Sequence, residues 1–248
     1  MTNTLIALLF AHLLTDFTFR TGWMIRNKRK VFVMIIHILL LALVSYAALG
    51  FSTWVPILFL SGLHFLIDEI YSLKRNRSFQ DFWHEQVLNI LILVAAASQI
   101  PDAFSNGIWR SYGILETKPA LLSYIPIDWI TNLPTVMLLI SGLVLTTHVG
   151  QILVGKFLFP LSLEESEEGI KNAGIIIGNL ERGLTYLAVL TGQPQIVGFL
   201  IAAKAILGFG TAPKNRKTSE YLIIGTLLSF GWAIAVSMGV LALRNLIT

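Results

Sequence analysis

Long runs of apolar residues, separated by short polar stretches, make up most of the hydrophobic pattern of this chain. A helix needs about 20 predominantly apolar residues to cross a bilayer, and most of the runs approach that length. The pattern predicts about eight membrane-spanning helices, at residues 4–19, 31–50, 54–72, 82–100, 133–159, 170–191, 195–210 and 220–243. We therefore expect an all-α fold, a polytopic helical bundle integral to a membrane.

The composition excludes several classes of protein. Apolar residues make up 55% of the 248 residues, charged residues 13%, and the mean hydropathy is +0.73. A soluble domain carries roughly 25% charged residues, so the soluble globular class is excluded. The chain has no cysteine, which excludes disulfides, thiolate ligands and a cysteine nucleophile. The net charge of +4 bears on membrane orientation, and we expect no nucleic-acid partner.

Basic residues follow the first, third and seventh predicted spans. Since Lys and Arg are enriched in cytoplasmic loops, these loops are expected on the cytoplasmic side. With eight spans, both termini are then external. The basic residues are Arg20, Arg26, Lys28, Arg29 and Lys30, then Lys74, Arg75 and Arg77, then Lys214, Arg216 and Lys217.

This topology predicts three regions. Residues 1–101 form a first half of four helices that carries a polar or metal site, and residues 133–248 form a second half of four helices. Between them, residues 102–132 are expected to form an external loop at the membrane interface, since they contain Trp, Tyr and Pro. Apart from a recurring His-x-x-x-Asp motif, the sequence shows no clear internal repeat.

Ionisable residues recur within the apolar runs of the first half. His12 and Asp16 are four residues apart, as are His64 and Asp68, so each pair projects from one face of a helix. Ionisable residues inside membrane helices are rare and are functional candidates by default. Both pairs are therefore candidates for a site.

The distance from the basic loops gives the depth of these side chains in the membrane. Asp16 precedes Arg20 by four residues, about 6 Å at 1.5 Å per residue, and His12 lies one turn deeper. The same count places polar residues of three further predicted helices at a similar depth: His37, His64, Asp68, Glu85 and Asn89. We expect them to form one polar layer in the cytoplasmic leaflet.

Imidazole nitrogens and carboxylate oxygens in one layer favour a divalent transition metal. Such ligands suit zinc, manganese, iron or nickel rather than magnesium or calcium. We expect zinc first, with manganese or iron as alternatives, as one ion or as two ions about 3.5–4 Å apart. The predicted ligands are His12, Asp16, His37, His64 and Asp68, with Asn89 and His148 as further ligands or as hydrogen-bond partners of ligands.

Two other interpretations of this layer stay open. Buried polar side chains also join membrane helices through hydrogen bonds, at roughly 0.6–2 kcal/mol each. The same groups could instead form a path for protons or ions. Several ionisable groups in one layer are costly to insert for a structural role alone, which favours the metal site.

The second half carries a different set of polar residues: Glu181, Arg182, Lys204 and Glu220. One interpretation pairs them as structural salt bridges. The other is a cationic pocket, in which Arg182 and Lys204 hold the phosphate or carboxylate of a substrate. A lipid headgroup or a polyprenyl phosphate would suit such a pocket.

Several motifs along the chain carry a family resemblance. They are His12-x-x-x-Asp16-Phe17, His64-x-x-x-Asp68, Gly174-x-x-x-Gly178-x-Leu180-Glu181-Arg182, Gly192-Gln193, Gly198-Phe199, Ala202-Ala203-Lys204 and Glu220-Tyr221-x-x-Ile224-Gly225-Thr226. In these the chain resembles a bacterial integral membrane family known as domain of unknown function 3307. The resemblance implies a multi-pass protein of the bacterial inner membrane and brings no activity. The first half is also loosely similar to predicted membrane-bound metal-dependent hydrolases, which carry His and Asp at helix ends.

This sequence departs from the family pattern at two places. The family is expected to open the fourth span with Asp-Gln-x-x-His, where this chain has Glu85-Gln86-x-x-Asn89. Glutamate keeps an oxygen ligand, whereas asparagine removes a nitrogen ligand, which puts a full ligand set in doubt. An arginine expected near Gly208 is also missing.

The hypothesis that follows is a membrane-embedded, metal-dependent hydrolase of a lipid-linked or amphipathic substrate, phosphorylated substrates included. A bound ion of this class lowers the pKa of water to about 7 and polarises the scissile group. Glu85 is the candidate general base, and membrane lipid is the expected partner. The alternatives are a metal-ion or proton-coupled transporter, and a non-catalytic scaffold with a metal-braced or hydrogen-bonded polar core.

Overall fold

In the computed structural model of the protein, all regular secondary structure of the described residues is helical, which confirms the all-α fold. The structure describes residues 1–27, 30–72, 74, 78–111, 132–159, 173–211 and 216–247. Five helices within these ranges are long and apolar enough to cross a membrane: Val31–Ala48, Val55–Ser72, Leu133–Leu158, Ala173–Leu190 and Ser219–Arg244. These helices indicate a membrane protein.

The other three predicted spans are also helical, but each is shorter or more polar. The first is an α-helix of 12 residues, Thr2–Leu13. The fourth, Phe79–Gln99, has 21 residues but carries Asp81, Glu85 and Asn89 in its first half. The seventh contributes only the shorter apolar stretch Gln195–Ile206. The count of eight spans is therefore not confirmed.

Parts of three predictions fall outside the described residues. They are the basic residues Lys28, Arg29, Arg75, Arg77 and Lys214 of the orientation argument, residues 112–131 of the predicted external loop, and residues 170–172 of the sixth predicted span.

The helices are labelled in chain order. They are α1 (Thr2–Leu13), followed by a π-helical turn (Leu14–Thr18), α2 (Gly22–Arg26), α3 (Val31–Ala48), α4 (Val55–Ser72), α5 (Phe79–Gln99), α6 (Leu133–Val144), followed by a second π-helical turn (Leu145–Val149), α7 (Gly150–Leu158), α8 (Ala173–Leu190), α9 (Gln195–Thr211) and α10 (Arg216–Arg244). A 3-10 turn, Ile108–Ser111, follows α5. The chain divides into two compact units, Met1–Ser141 with Ile247–Thr248, and Gly142–Leu246.

In the first unit, four helices enclose a common interior. Helix α3 packs between α1 and α4, and α5 packs between α4 and α1. The start of α5 is set by a capping box, in which Ser78 and Asp81 bond to each other's backbone. Lys74 also pairs with Asp81, and Lys74 together with Ser78 holds the pKa of that carboxyl well below its usual range. This cap fixes where Glu85 and Asn89 enter the bundle.

The far end of the first unit, where α1 begins and α3 ends, is closed by side-chain hydrogen bonds to backbone carbonyls and by close packing at a glycine. The Thr4 hydroxyl donates to the Pro101 carbonyl at 2.8 Å, joining α1 to the end of α5. Gly107 packs so tightly that an added Cβ would lie 2.2 Å from the Leu49 carbonyl oxygen. Trp109 Nε1 then donates to the Ala47 carbonyl at 2.7 Å.

In the second unit, α8 and α10 form the main packing pair, and both also contact the second π-helical turn and α7. Helix α9 packs on α8. A small apolar core joins α8, α9 and α10 through Ala188, Val197 and Phe230.

Candidate metal centre

The end of the first helix delivers His12 and Asp16. His12 lies in the last turn of α1, and Asp16 lies in the π-helical turn that follows. In that turn the Phe19 amide donates to the Leu14 carbonyl at 2.8 Å, five residues back. The Thr15 hydroxyl donates to the carbonyls of Ala11 and His12, at 2.9 and 3.0 Å. Single π-helical turns are frequent at functional sites, because they re-aim side chains within a helix.

The neighbouring helices deliver the other predicted ligands. Helix α3 contributes His37, and α4 contributes His64 and Asp68 one turn apart. All five predicted ligands are buried inside the first unit, His12 most completely, with 1% of its surface exposed. The structure therefore brings together side chains from three helices that the sequence placed at one depth.

The ligand atoms lie within a few ångströms of one another. Asp16 Oδ1 is 3.3 Å from His37 Nε2 and 3.3 Å from His64 Nε2. Asp68 Oδ2 is 3.6 Å from His37 Nε2, and Asp68 Oδ1 is 4.0 Å from His64 Nε2. Two sets of three residues can each offer ligand atoms within 4.8 Å of one another: His12, Asp16 and His64, and His37, His64 and Asp68.

These buried atoms are close together without being hydrogen bonded. Within the described ranges, the following have no hydrogen-bond partner: His12 Nδ1, Asp16 Oδ1, His37 Nδ1 and Nε2, His64 Nε2, and Asp68 Oδ1. Buried polar atoms are nearly always paired, and leaving one unpaired costs about 1–3 kcal/mol. In a purely structural polar core, side chains this close together would form hydrogen bonds between the helices.

The same geometry fits a shared metal ion. Ligands at about 2.0–2.2 Å from a tetrahedral ion are roughly 3.3–3.6 Å from each other. The separations from His37 and His64 to Asp16 fall at this spacing. Nitrogen and oxygen donors that converge on one point, rather than on each other, are what a transition-metal site requires.

Helix α5 adds two buried polar side chains to this interior. Asn89 is 1% exposed, and in the part of the chain that the structure describes neither of its amide atoms has a hydrogen-bond partner. Glu85 is also buried and interacts electrostatically with Arg20. Neither belongs to the two ligand sets. Their roles as a further ligand and as a general base stay predictions.

Arg20 is a site residue that sequence reasoning assigned only to orientation. Its Nη2 donates to Asp68 Oδ2 at 3.1 Å, and its side chain is 21% exposed. Burial alone lowers the pKa of the guanidinium, but the nearby carboxylates, Asp68 foremost, outweigh this effect and raise the pKa. The one sequence signal was that Arg20 lies four residues beyond Asp16. Gln86, which lies close to His12, was also missed as a neighbour of the site.

A small cavity, partly open to the outside, reaches one wall of the cluster. His37, Asp68 and Arg20 form its polar wall. Its other walls are mainly apolar, formed by Met24, Val33, Met34, Ile38 and Phe65, with Ser72 at one edge. The cavity thus reaches His37 and Asp68 from the side of α2 to α4.

The candidates from the second half belong to the second unit. Lys204 Nζ and Glu181 Oε2 form an ion pair at 2.6 Å, as the salt-bridge interpretation expects. Arg182, 3% exposed, donates through Nη1 to Ser229 Oγ at 3.0 Å and through Nη2 to Asn179 Oδ1 at 2.7 Å. His148 Nδ1 lies 3.2 Å from the Thr147 hydroxyl. His148 and Glu220 are both exposed. Neither is in a described ligand set.

Residues 4–111 match the family model described as a protein of unknown function (DUF3307). These residues belong to that family. The DUF3307 segment contains all five predicted ligands, Arg20, Glu85 and Asn89, and ends at the 3-10 turn after α5. No curated protein and no solved structure matches the chain. The looser similarity to metal-dependent hydrolases stays a prediction.

Proposed function

We propose that this protein is a membrane-embedded, metal-dependent hydrolase that acts on a lipid-linked or amphipathic substrate. The observation that carries the proposal is the cluster of buried nitrogen and oxygen atoms of His12, Asp16, His37, His64 and Asp68, which lie 3.3–4.0 Å apart without hydrogen bonds to one another. Zinc is the first candidate ion, with manganese or iron as alternatives, since these metals take imidazole and carboxylate together.

The residues divide into those that hold the ion and those that act beside it. His64 belongs to both ligand sets, so it is the central ligand. When bound, an ion of this class acts as a Lewis acid and lowers the pKa of water to about 7. Glu85, buried in the same interior, is the candidate to accept the proton of the attacking water. Arg20 balances the negative charge of Asp68.

The membrane setting belongs to the same proposal. In it the chain has eight spans in the bacterial inner membrane, with both termini external and the cluster in the cytoplasmic leaflet. The five long apolar helices support the membrane location. The basic residues that follow the first and third predicted spans support this orientation. A substrate would then reach the cluster from the lipid or from the cytoplasmic surface.

The closed far end of the first unit favours an enzyme over a transporter. A transporter needs a path from both membrane faces to its site. Between the cluster and the contacts that join Thr4, Pro101 and Trp109, the interior is filled with buried side chains. They include Leu8, Leu41, Ser45, Ala48, Ile57, Leu60, Leu93 and Ala97.

Elemental analysis of purified protein in detergent tests the centre. We expect one or two equivalents of a transition metal in the wild type and loss of most of it in His64→Ala, because both ligand sets lose a member. His84→Ala is the matched control, since His84 is exposed on α5 and should retain the ion. A wild type that stays metal-free after incubation with zinc, manganese or iron would contradict the centre.

The hydrolytic role needs a second measurement. We expect metal-loaded protein in liposomes to release phosphate or headgroup from a phosphorylated lipid. Glu85→Gln should keep the ion and lower the rate by about 10²–10⁴-fold, the usual contribution of a general base. An ion retained in both proteins, with no turnover of any phosphorylated or ester lipid offered, would leave the centre in place and refute the hydrolase.

A further inference from the structure

The cavity beside the cluster combines one cation with apolar walls. Arg20 lies on its wall together with two of the predicted ligands, His37 and Asp68. The short helix α2 carries Met24 to the cavity, and its start is capped by the Thr21 hydroxyl, which accepts from the Met24 amide at 3.3 Å. Helices α3 and α4 supply the remaining apolar wall through Val33, Met34 and Phe65.

Arg20 has donors left for a second anion. A guanidinium has five N–H donors in a planar fork that matches carboxylate and phosphate oxygens. Among the described residues, Arg20 makes one side-chain hydrogen bond, to Asp68. Its exposed fraction of 21% leaves part of the group accessible from the cavity.

We propose that this cavity binds the anionic phosphate of an amphiphile, with Arg20 on the phosphate and the Met24, Val33, Met34 and Phe65 wall on its hydrocarbon chain. This assignment deepens the proposed function, since it places the phosphate beside His37 and Asp68. It names a phosphorylated amphiphile as the substrate class. It also makes Arg20, rather than a residue of the second unit, the group that selects the anion.

Binding of dodecyl phosphate to the purified full chain in non-ionic detergent tests this assignment. We expect the wild type to bind dodecyl phosphate at least about 10-fold more tightly than inorganic phosphate, because the chain contacts the apolar wall. Arg20→Gln should weaken dodecyl phosphate binding about 10–100-fold and leave the metal content unchanged, while Arg20→Lys should recover part of the affinity. Arg26→Gln, an exposed basic residue of the same short helix, is the matched control and should bind like the wild type.

The outcomes separate this assignment from the metal centre. Equal affinity of Arg20→Gln and wild type for dodecyl phosphate, with the ion retained, refutes the anion site alone. Loss of the ion together with binding in Arg20→Gln also refutes it, since Arg20 would then only position Asp68. Arg20-dependent binding in a metal-free wild type would keep the anion site and remove the proposed function.

A separate observation concerns the two units, which repeat the same series of local structures. An early helix of each passes through a π-helical turn, Leu14–Thr18 in one and Leu145–Val149 in the other. The second of these helices, α6, begins at Leu133, before the unit boundary at Gly142. Each of these helices carries a fully buried threonine in the turn, Thr15 or Thr146, whose hydroxyl donates to the carbonyl four residues earlier. A second fully buried threonine, Thr4 or Thr135, precedes the turn at the same spacing.

The next long helices, α3 and α8, match in their C-terminal ends. Each is followed by a glycine with positive φ, Gly50 at 66° and Gly192 at 72°. The Gly50 amide donates to Ala47 at 3.0 Å, and the Gly192 amide donates to Val189 at 3.1 Å. The residues that follow, Phe51 and Gln193, both donate to a carbonyl five residues back.

Aligned element by element, the ligand positions of the first unit correspond to polar positions of the second. The π-helical turns align Asp16 with Thr147, and the glycines align His37 with Asn179. The first residues of α4 and α9, Val55 and Gln195, align His64 with Lys204, and the same shift aligns Asn89 with Ser229. Three of these four surround Arg182, which donates to Ser229 Oγ, to Asn179 Oδ1 and to the Thr147 carbonyl at 3.5 Å. The packing has diverged, because α8 contacts α10 extensively.

We infer that the two units are copies of one four-helix unit and that a buried guanidinium in the second takes the place of the metal ligands in the first. Restoring ligands tests this. In a His64→Ala background, which removes the first centre, Thr147→Asp, Asn179→His, Lys204→His and Arg182→Gln together should bind about one Co²⁺, seen by its visible absorption. A control moves both histidines one position, to Leu180 and Ala205, and should bind none.

Co²⁺ binding by the restored set and not by the displaced set supports the correspondence. A folded, monodisperse restored variant that binds no Co²⁺ overturns it, as does equal binding by the displaced set. Should the full set not fold, Asn179→His with Lys204→His is the milder variant. It should bind Co²⁺ weakly, and failure of this folded variant to bind also counts against the correspondence.

Discussion

At the scale of single residues, the unpaired atoms of the first unit separate a ligand from a structural polar group. Asn89 shows the difference most clearly, because both of its amide atoms are buried and, in the described chain, unpaired. A purely structural asparagine in that state would destabilise the fold without any compensating interaction. An asparagine whose oxygen is a metal ligand would gain that missing interaction when the ion binds.

Substituting Asn89 distinguishes these cases. Asn89→Leu should stabilise the metal-free protein by about 1–3 kcal/mol, because it removes two buried unpaired groups. The same change should weaken metal affinity, whereas Asn89→His should strengthen it by supplying a nitrogen ligand. Thermal unfolding with and without chelator measures the first effect, and metal titration measures the second. Unchanged metal affinity in both variants would place Asn89 outside the centre.

The residue scale is also where sequence reasoning succeeded best. A rise of 1.5 Å per residue, counted from the basic loops, places His12, Asp16, His37, His64 and Asp68 at one depth, and the structure brings these five side chains together. Depth follows from the sequence because an α-helix has a constant rise per residue. Arg20 could not be placed in this way, because the chain leaves α1 before it and no periodicity directs its side chain back to Asp68.

At the scale of elements, the π-helical turn at Leu14–Thr18 determines how α1 presents its ligands. An unbroken α-helix would stack His12 and Asp16 one turn apart on one line. The extra residue in the turn rotates Asp16 relative to His12, so that its Oδ1 lies 3.3 Å from the histidines of α3 and α4. The sequence carries no recognisable signal for such a turn, which is why only an α-helical pair was predicted there.

The Thr15 hydroxyl is the side chain that supports this turn. Thr15→Val keeps the shape and removes the hydrogen bonds to the Ala11 and His12 carbonyls. We expect a loss of about 1 kcal/mol in unfolding free energy. Metal affinity should fall about 10–100-fold, as for other groups that orient ligands.

Thr15→Ser is the control, because it keeps the hydroxyl and should retain both properties. Metal titration and chemical denaturation give the two readouts. Wild-type metal affinity in Thr15→Val would show that the turn holds its shape without the hydroxyl.

At the scale of the whole molecule, the sequence predicts the all-α membrane class and misses the duplication. Composition and apolar run length are enough for the class, because both reflect the surrounding lipid. The duplication is hidden because the matching positions differ in chemistry: Thr147 stands where the first unit has Asp16, and Lys204 where it has His64. What the units share is backbone geometry, such as the glycine at positive φ after α3 and α8.

The membership of His64 in both ligand sets limits what the centre can hold. Its Nε2 lies near the carboxylates of Asp16 and Asp68 alike, yet an imidazole nitrogen has one lone pair and can serve one cation at a time. The two ligand sets therefore compete for His64, and a second cation would have to bind without that ligand. One possible ion position is at the cavity wall, with His37, and the other is beside His12.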